Sequence, residues 1–413
     1  MSVHQVMSIV GFVVLLAVGY ALSRDRKAVQ LRVVLWGVGL QWLMAVLLLK
    51  VPYGQIVLKK VSDGVTAVIA NAYQGSVFLF GDLGQLGGGK TGLGTIFAFQ
   101  ILPTIVFVAA LFGVLYYLGV MQLIVRVLAR GMVHLFGASG AESLCIAASI
   151  FMGQSEAPLT IRPFLARLTE SELFTVIVAG MASVSGAILS AYVALGGVKM
   201  EHLLTAMAMT APISLVFAKL VVPETGKPET AGVVADSPVE NSRNVLEAAA
   251  NGTSDGLKLA VNVGAMLISF IALVSLLNGI IGLIPMGDAP LTLQRILGWA
   301  CAPIAALMGI PWSEAQAVGS VLGTRTVVNE IVAFQDLHTL KAAGAIGERS
   351  VAIATFAVCG FANLSSIGIQ IGGLGALVPE RKSDIARLGV LALVAATLAN
   401  FSTACVAGAL FSE

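Results

Sequence analysis

Long apolar segments alternate with short polar ones along the whole chain. Eight of the apolar segments are long enough to cross a bilayer as an α-helix, which takes about 20 residues. They cover residues 6–22, 31–50, 96–128, 171–195, 201–222, 257–284, 349–376 and 384–411. The strands of a membrane barrel would instead alternate apolar and polar positions. The pattern therefore predicts an all-α polytopic membrane protein with eight transmembrane helices.

Two further segments, residues 131–165 and 292–335, are apolar at both ends and polar in the middle. The first contains the run GQSEAP at 153–158, and the second contains VNE at 328–330. A polar break of this kind leaves backbone groups unpaired, which a membrane tolerates only where the break is buried in protein or lines a wet cavity. The two segments are predicted to be re-entrant hairpins.

The chain also contains an internal repeat. The run GMASVSG at 180–186 has a counterpart, GFANLSS, at 360–366, and each copy follows one predicted hairpin. Counting crossings places the copies on helices four and seven, which run in opposite directions. The sequence thus predicts an inverted repeat, and transporters built in this way hold their substrate near the membrane midplane, where the two halves meet.

Charged residues orient this arrangement. If the N-terminus is outside, the main basic clusters fall on the cytoplasmic side, as the positive-inside rule requires. These clusters comprise Arg24, Arg26, Lys27, Arg32, Arg126, Arg130, Arg162, Arg167, Arg381, Lys382 and Arg387. Residues 55–72 are amphipathic and are predicted to lie along the interface. Residues 223–256 are polar and are predicted to form a cytoplasmic loop.

Composition and the lack of certain motifs disfavour several classes of function. Only 11% of the 413 residues are charged, against about 25% in soluble domains, and a net charge of +2 does not favour nucleic-acid binding. The four cysteines lie in apolar segments without CxxC spacing and are predicted to be buried apolar side chains. No HExxH motif is present, so the sequence does not favour an enzyme. An ion channel is also disfavoured, because paired hairpins replace a ring of pore-lining charge.

Two carboxylates in the predicted hairpins are the first candidates for function. An ionised carboxylate at membrane depth is costly and is tolerated where it faces a polar cavity. Glu156 and Glu330 each belong to one half of the repeat. The alternative is that each is solvated at the membrane rim. Small and polar residues in the repeated run, such as Ser183 and Asn363, either line an unwound helix or serve helix packing.

These residues resemble the signatures of a known family. The runs 153–158, 328–333 (VNEIVA), 359–366 (CGFANLSS) and 262–268 (NVGAMLI) are similar to those of the concentrative nucleoside transporters, in their bacterial, sodium-coupled branch. The resemblance covers nearly the whole chain. It implies a multi-pass protein of the bacterial inner membrane that imports nucleosides by alternating access, with sodium as the coupling ion and no other cofactor.

The resemblance also implies a domain arrangement. A scaffold would comprise residues 1–130, with helices one to three and the interfacial helix, together with helix six at 257–284. A transport domain would comprise residues 131–222 and 292–413, each with one hairpin and two helices. The family assembles as a homotrimer in the lipid bilayer.

Site residues follow from the same resemblance. A uridine-like nucleoside would contact Gln154, Ser155, Glu156, Ile188, Glu330, Phe361, Asn363 and Ser366. Of these, the resemblance assigns Glu330, Asn363 and Ser366 to the ribose hydroxyls and the others to the base. Sodium would be bound by Ser149, Met152, Ser183 and Val184, with carbonyl oxygens from Met152 and Val184.

Position 149 departs from the family pattern. The sodium-coupled members carry Asn there, and Ser149 is shorter and lacks the side-chain carbonyl. Weaker sodium binding is expected. The alternative is a proton-coupled symporter of the same fold, in which Glu156 or Glu330 takes up the proton.

Overall fold

The structure is a computed structural model that describes residues 2–85, 89, 96–233, 242–283 and 290–411. These residues are helical, with no β-strand among them. The first helices are α1 (Val3–Ala21), α2 (Leu31–Leu49), α3 (Pro52–Ala70), α4 (Ala72–Phe80), α5 (Phe97–Gln100), α6 (Leu102–Tyr117) and α7 (Val120–Phe136). Helix α3 covers most of the segment that was predicted to be interfacial.

The prediction of one long crossing over residues 96–128 is wrong. Helix α6 ends at Tyr117, and Gly119, at a φ of 78°, adopts the left-handed conformation from which α7 starts. Helix α7 buries one side only, through Met121, Val125, Ala129, Met132 and Phe136. Arg126 and Arg130 lie outside this buried side, next to the exposed Leu123 and Val127, so α7 has the pattern of a helix lying along an interface.

The first half of the repeat starts with α8 (Gly140–Ser149). The chain returns as a 3₁₀ segment, Ala157–Arg167, in which Pro158 and Pro163 remove two backbone donors. Ser139, at the start of α8, donates to Glu172, just beyond this segment, at 2.5 Å. The two arms therefore begin and end together, as a hairpin requires. The half continues as α9 (Glu170–Ala182), α10 (Leu189–Gly196) and α11 (Met200–Val221).

Helix α12 (Val245–Ile281) starts earlier than predicted. Its 37 residues include 245–256, which the sequence assigned to the polar loop, because Asn244 caps the helix by accepting the amide of Glu247. Residues 234–241 of that loop lie outside the described residues. Helix α12 packs along α6, where a Cβ atom at Gly256 would lie 2.8 Å from the Cα of Val106. Small residues thus let the two helices approach closely.

The second hairpin is also displaced from its predicted bounds of 292–335. Helix α13 (Leu293–Leu307) is a separate helix, bent by 117° from α14 (Trp312–Val327). The hairpin arms are α14 and α15 (Glu330–Ala342), which flank the polar break at 328–329. Glu314, early in α14, accepts the amide of Gly347, just after α15, at 3.2 Å. The break itself lies where the sequence predicts it.

The second half ends with α16 (Glu348–Val358), α17 (Leu364–Leu377) and α18 (Lys382–Leu410). Glu170, which starts α9, accepts from Arg387 near the start of α18 at 3.0 Å. Arg349, near the start of α16, donates to the carbonyl of Gly408 at the end of α18 at 2.8 Å. Helices α9 and α16 therefore start at opposite ends of α18. The two halves have opposite orientations, as the inverted repeat predicts.

Seven helical spans within the described ranges are long and apolar enough to cross a bilayer. The predicted crossing at 349–376 consists of α16 and α17, which are short because residues 359–363 break it. The all-α membrane fold that the sequence predicts is therefore confirmed.

Buried ion pairing holds one end of the first half together. Lys219, near the end of α11, lies 2.8 Å from Glu142 on α8 and 3.5 Å from Glu224, and it donates to Ser171 on α9 at 2.9 Å. The Lys219 and Glu142 side chains are only 8% and 2% exposed. Removing one partner of such a pair leaves an uncompensated buried charge, so this cluster fixes the hairpin against α9 and α11.

Candidate functional site

A cavity of about 400 Å³ lies where the two hairpin breaks and the two helix breaks meet. This volume suits a small organic ligand. Its wall includes all eight residues predicted to contact the substrate: Gln154, Ser155, Glu156, Ile188, Glu330, Phe361, Asn363 and Ser366. Each half of the repeat therefore supplies part of one site.

Two asparagines position the second half of the site. Asn329 accepts the amide of Val332 at the start of α15, and Asn363 accepts the amide of Ser366 at the start of α17, each at 2.9 Å. Asparagine is a favoured helix cap because its side-chain oxygen satisfies a free backbone donor. The breaks therefore end in helix N-termini, which carry unpaired amides and a partial positive charge.

Glu330 is the buried carboxylate of this site. Its residue is 3% exposed, and its oxygens accept from the Tyr192 hydroxyl and the Asn363 amide, each at 3.1 Å. Tyr192 is held by stacking on Phe334, with ring centroids 4.5 Å apart. A carboxylate offers about four acceptor positions, so Glu330 has capacity left for hydroxyl donors of a ligand.

Gln154 joins the two halves of the site. Its amide donates to the hydroxyl of Ser366 at 3.1 Å and its oxygen accepts from Gln370 at 3.4 Å. A Cβ atom at Gly180 would lie 2.7 Å from the Gln370 amide, so any larger residue there would displace this side chain. Nearby, Glu156 accepts the amide of Gly153 at 3.2 Å and closes the hairpin tip.

Helix α12 forms the remaining wall of the cavity. Its contributions are Leu259, Asn262, Val263, Ala265, Met266 and Ser269. Most of these belong to the run NVGAMLI that carried part of the family resemblance. The cavity thus lies between the hairpins and broken helices on one side and predicted scaffold helix six on the other.

The predicted sodium ligands lie on two connected segments. Gly186, after the break in α9, donates its amide to the carbonyl of Phe151 in the hairpin break at 3.0 Å. Ser149 donates its hydroxyl to Cys145 at 2.9 Å, and Ser183 donates to Ala179 at 2.8 Å. Because both protons point at their own helices, the lone pairs of these oxygens remain for a cation.

The other two predicted ligands differ in their surroundings. Val184 is fully buried, and Met152 accepts a hydrogen bond at its sulfur from Tyr116 on α6 at 2.8 Å. Among the residues that the structure describes, no group of three or more His, Cys, Asp or Glu side chains could hold a metal ion. A cation site here would consist of hydroxyl and carbonyl oxygens.

Sequence reasoning missed four buried polar residues next to the site, namely Tyr192, Gln370, Arg325 and Asn400. Tyr192, Gln370 and Asn400 each contact a side chain or carbonyl of the hairpins or breaks, and Arg325 contacts Asn400. Only Arg325 carried a usable signal, because a charge within an apolar segment marks a functional region. The other three are ordinary membrane-helix residues until the fold places them.

Two short runs match the patterns of enzyme motifs. The run GTSDG at 252–256 lies inside α12, whereas a hydrolase nucleophile needs a strand-to-helix turn. The run GQLGGGKT at 84–91 matches the pattern of a phosphate-binding loop. Most of its residues lie outside the described residues.

Two halves of opposite orientation, with hairpins and broken helices that place polar side chains of both halves around one cavity, define a membrane transporter. The chain belongs to the Na⁺-dependent nucleoside transporter family. The family's C-terminal model matches residues 202–408 and its N-terminal model matches residues 10–83. A third model, described as nucleoside recognition, matches residues 98–199. The predicted family is confirmed, as is the prediction that the protein is not an enzyme.

Similar proteins cover nearly the whole chain. The nucleoside permease NupC of Helicobacter pylori is 39% identical, over 99% of this chain and 98% of its own. An uncharacterized transporter of Bacillus subtilis, YutK, is 43% identical, over 97% of this chain and 98% of its own. Among solved structures, CNTnw in an inward-facing substrate-bound state is 43% identical, with a TM-score of 0.92 over 98% of each chain.

Proposed function

We propose that this protein imports nucleosides across the bacterial inner membrane by alternating access, driven by an inward sodium gradient. The observation that carries the proposal is the cavity of about 400 Å³, whose wall combines residues of both halves of the inverted repeat. A site at this position can be reached from either side of the membrane when the transport domain, which contains both halves of the repeat, moves relative to the scaffold.

The chemistry of the wall matches a nucleoside. A ribose presents adjacent hydroxyl donors, and Glu330 and Asn363 supply buried acceptors and donors joined at 3.1 Å. A nucleobase presents an amide-like edge and a flat face, for which Gln154 and Phe361 are suitable partners. A uridine-like substrate is therefore the first to test.

The sodium proposal rests on the two connected segments that carry Ser149, Met152, Ser183 and Val184. One monovalent cation moving down about 100 mV contributes about 2.3 kcal/mol, which corresponds to roughly 50-fold accumulation. A sodium/nucleoside cotransporter of Rattus norvegicus is 36% identical over 99% of this chain, which covers 63% of that protein. The alternative is proton coupling, because Glu156 and Glu330 both line the cavity.

Similarity to structures solved in other transport states supports alternating access. Variants of CNTnw in outward-facing and intermediate states match this chain with TM-scores of 0.93. We propose the division into scaffold and transport domain that the family resemblance implies, in a homotrimer with the N-terminus outside. Helix α1 packs along α18 and α2 along α11. The proposed scaffold therefore contacts the proposed transport domain through these packed helices as well as around the cavity.

Replacing Ser149 by Asn tests the proposed cation site. The side-chain carbonyl of Asn is a better cation ligand than the Ser149 hydroxyl and extends further from the backbone, so Ser149→Asn should bind sodium more tightly. Nucleoside binding should then depend more strongly on sodium, because coupling between two sites is reciprocal. The measurement is a uridine binding isotherm with and without sodium.

The matched control is Ser143→Asn, which is also buried in α8 but lies outside the predicted ligands. It should leave the sodium dependence unchanged. If Ser149→Asn and the parent show equal sodium dependence, position 149 is not a cation ligand and the proton-coupled alternative is favoured.

A further inference from the structure

Arg325 is a fully buried cation in the last turn of α14. Its residue is 0% exposed, and no carboxylate lies within ion-pair distance of it in the described part of the chain. The guanidinium donates to the hydroxyl of Thr397 at 3.3 Å and to the side-chain oxygen of Asn400, both on α18. Its Nε has no hydrogen-bond partner. Burying a charge in this way is costly.

Asn400 links the guanidinium of Arg325 to two backbone carbonyls. Its oxygen accepts from Arg325, while its amide donates to the carbonyl of Ala182 at 2.7 Å and to that of Cys359 at 3.2 Å. Because Arg325 only donates, the oxygen of Asn400 must face it, and both amide protons then face the carbonyls. One side chain therefore holds the backbone at both helix breaks.

Those two carbonyls are the C-terminal ends of half-helices. Ala182 is the last residue of α9, and Cys359 directly follows α16. A helix C-terminus carries a partial negative charge, so two such ends converge on the region of one buried cation. The breaks also touch directly, since the amide of Phe361 donates to the carbonyl of Ser183 at 3.2 Å.

We propose that Arg325 and Asn400 are positioning residues that fix the two helix breaks against each other and so transmit the effect of cation binding to the nucleoside. The inference rests on the proposed function, because Ser183 and Val184 follow Ala182 in the predicted cation site. Phe361 and Asn363 follow Cys359 in the substrate cavity. In the second half, the cation near the break is the Arg325 side chain. In the first half, the break presents neutral oxygens, and the cation is a bound sodium ion.

The test compares four variants of the full-length protein. Asn400→Asp keeps the shape and the acceptor for Arg325 but loses both donors to the carbonyls. Arg325→Met removes the charge and Arg325→Lys keeps it. Thr397→Val, the control, removes the other hydrogen bond of the same guanidinium. The readout is the coupling ratio, which is the uridine dissociation constant without sodium divided by that with sodium.

The parent and Thr397→Val should show the same coupling ratio, in the usual range of about 5- to 150-fold. Asn400→Asp and Arg325→Met should give a ratio near one, and Arg325→Lys should recover most of it. A merely structural role would instead lower the amount of folded protein without changing the ratio. A parental ratio in Asn400→Asp, or no recovery with Arg325→Lys, overturns the inference.

Failure of the proposed function gives a different result. A parent that binds no uridine contradicts both the proposed function and the inference. A parent that binds uridine equally with and without sodium contradicts sodium coupling only. In that case loss of the constraint should still lower uridine affinity about tenfold in Asn400→Asp and Arg325→Met but not in Arg325→Lys, and unchanged affinity in the first two variants overturns the inference.

Discussion

Glu330→Gln is expected to weaken uridine binding by roughly 10- to 150-fold, since a hydrogen bond to a charged group contributes about 1.5–3 kcal/mol. The substitution keeps the size of the side chain. It removes the charge and turns one acceptor into a donor, which must then face the Tyr192 hydroxyl, the Asn363 amide or the ligand. Isothermal titration of the detergent-purified protein measures the change.

Substrate analogues separate a ribose contact from general damage to the site. A 2′,3′-dideoxynucleoside lacks the hydroxyl donors, so Glu330→Gln should weaken its binding much less. The matched control is Glu314→Gln, at the other end of the same hairpin, where the carboxylate accepts the amide of Gly347. If Glu330→Gln binds uridine as tightly as the parent does, the assignment of Glu330 to the ribose is wrong.

Cross-linking the predicted scaffold to the predicted transport domain should abolish uptake. A Cβ atom at Gly186 would lie 3.0 Å from ring carbons of Phe112 on α6. With cysteine at both positions the ring is absent, and a mercuric ion can bridge the two thiols. Uptake into proteoliposomes should fall to background when the ion is added and return with excess thiol, because the transport domain can no longer move past α6.

Binding distinguishes arrested motion from a blocked site. Neither Phe112 nor Gly186 lines the cavity, so the cross-linked protein should bind uridine as the parent does. Each single-cysteine variant, treated in the same way, controls for the four native cysteines, three of which are buried. Full uptake by the cross-linked protein would contradict a transport domain that moves relative to α6.

The sequence predicts the membrane fold well because its signals are local. Eighteen or more apolar residues specify a spanning helix, and the polar runs at 153–158 and 328–330 mark both hairpin breaks correctly. Helix boundaries are predicted less well where the chain changes direction within a continuous apolar segment. Gly119 redirects the chain within an apolar run, and only its left-handed conformation shows where α6 ends.

The sequence likewise identifies some residues of the candidate site and misses others. Residues at breaks, such as Glu156 and Asn363, stand out because polar groups interrupt apolar helices. Gln370 and Asn400 lie inside otherwise continuous helices, and the sequence cannot show that they face Gln154 and the broken backbone. Their importance depends on contacts between residues more than 200 positions apart, which the fold alone creates.

Uridine uptake into proteoliposomes under a sodium gradient, with no pH gradient, tests the central claim most directly. An inward sodium gradient should drive saturable accumulation above the equilibrium level, and an ionophore that collapses the gradient should abolish it. A pH gradient imposed alone should not drive accumulation. Accumulation that follows the pH gradient and ignores sodium would contradict sodium coupling, and uridine flux that neither saturates nor exceeds equilibrium would contradict an ion-coupled transporter altogether.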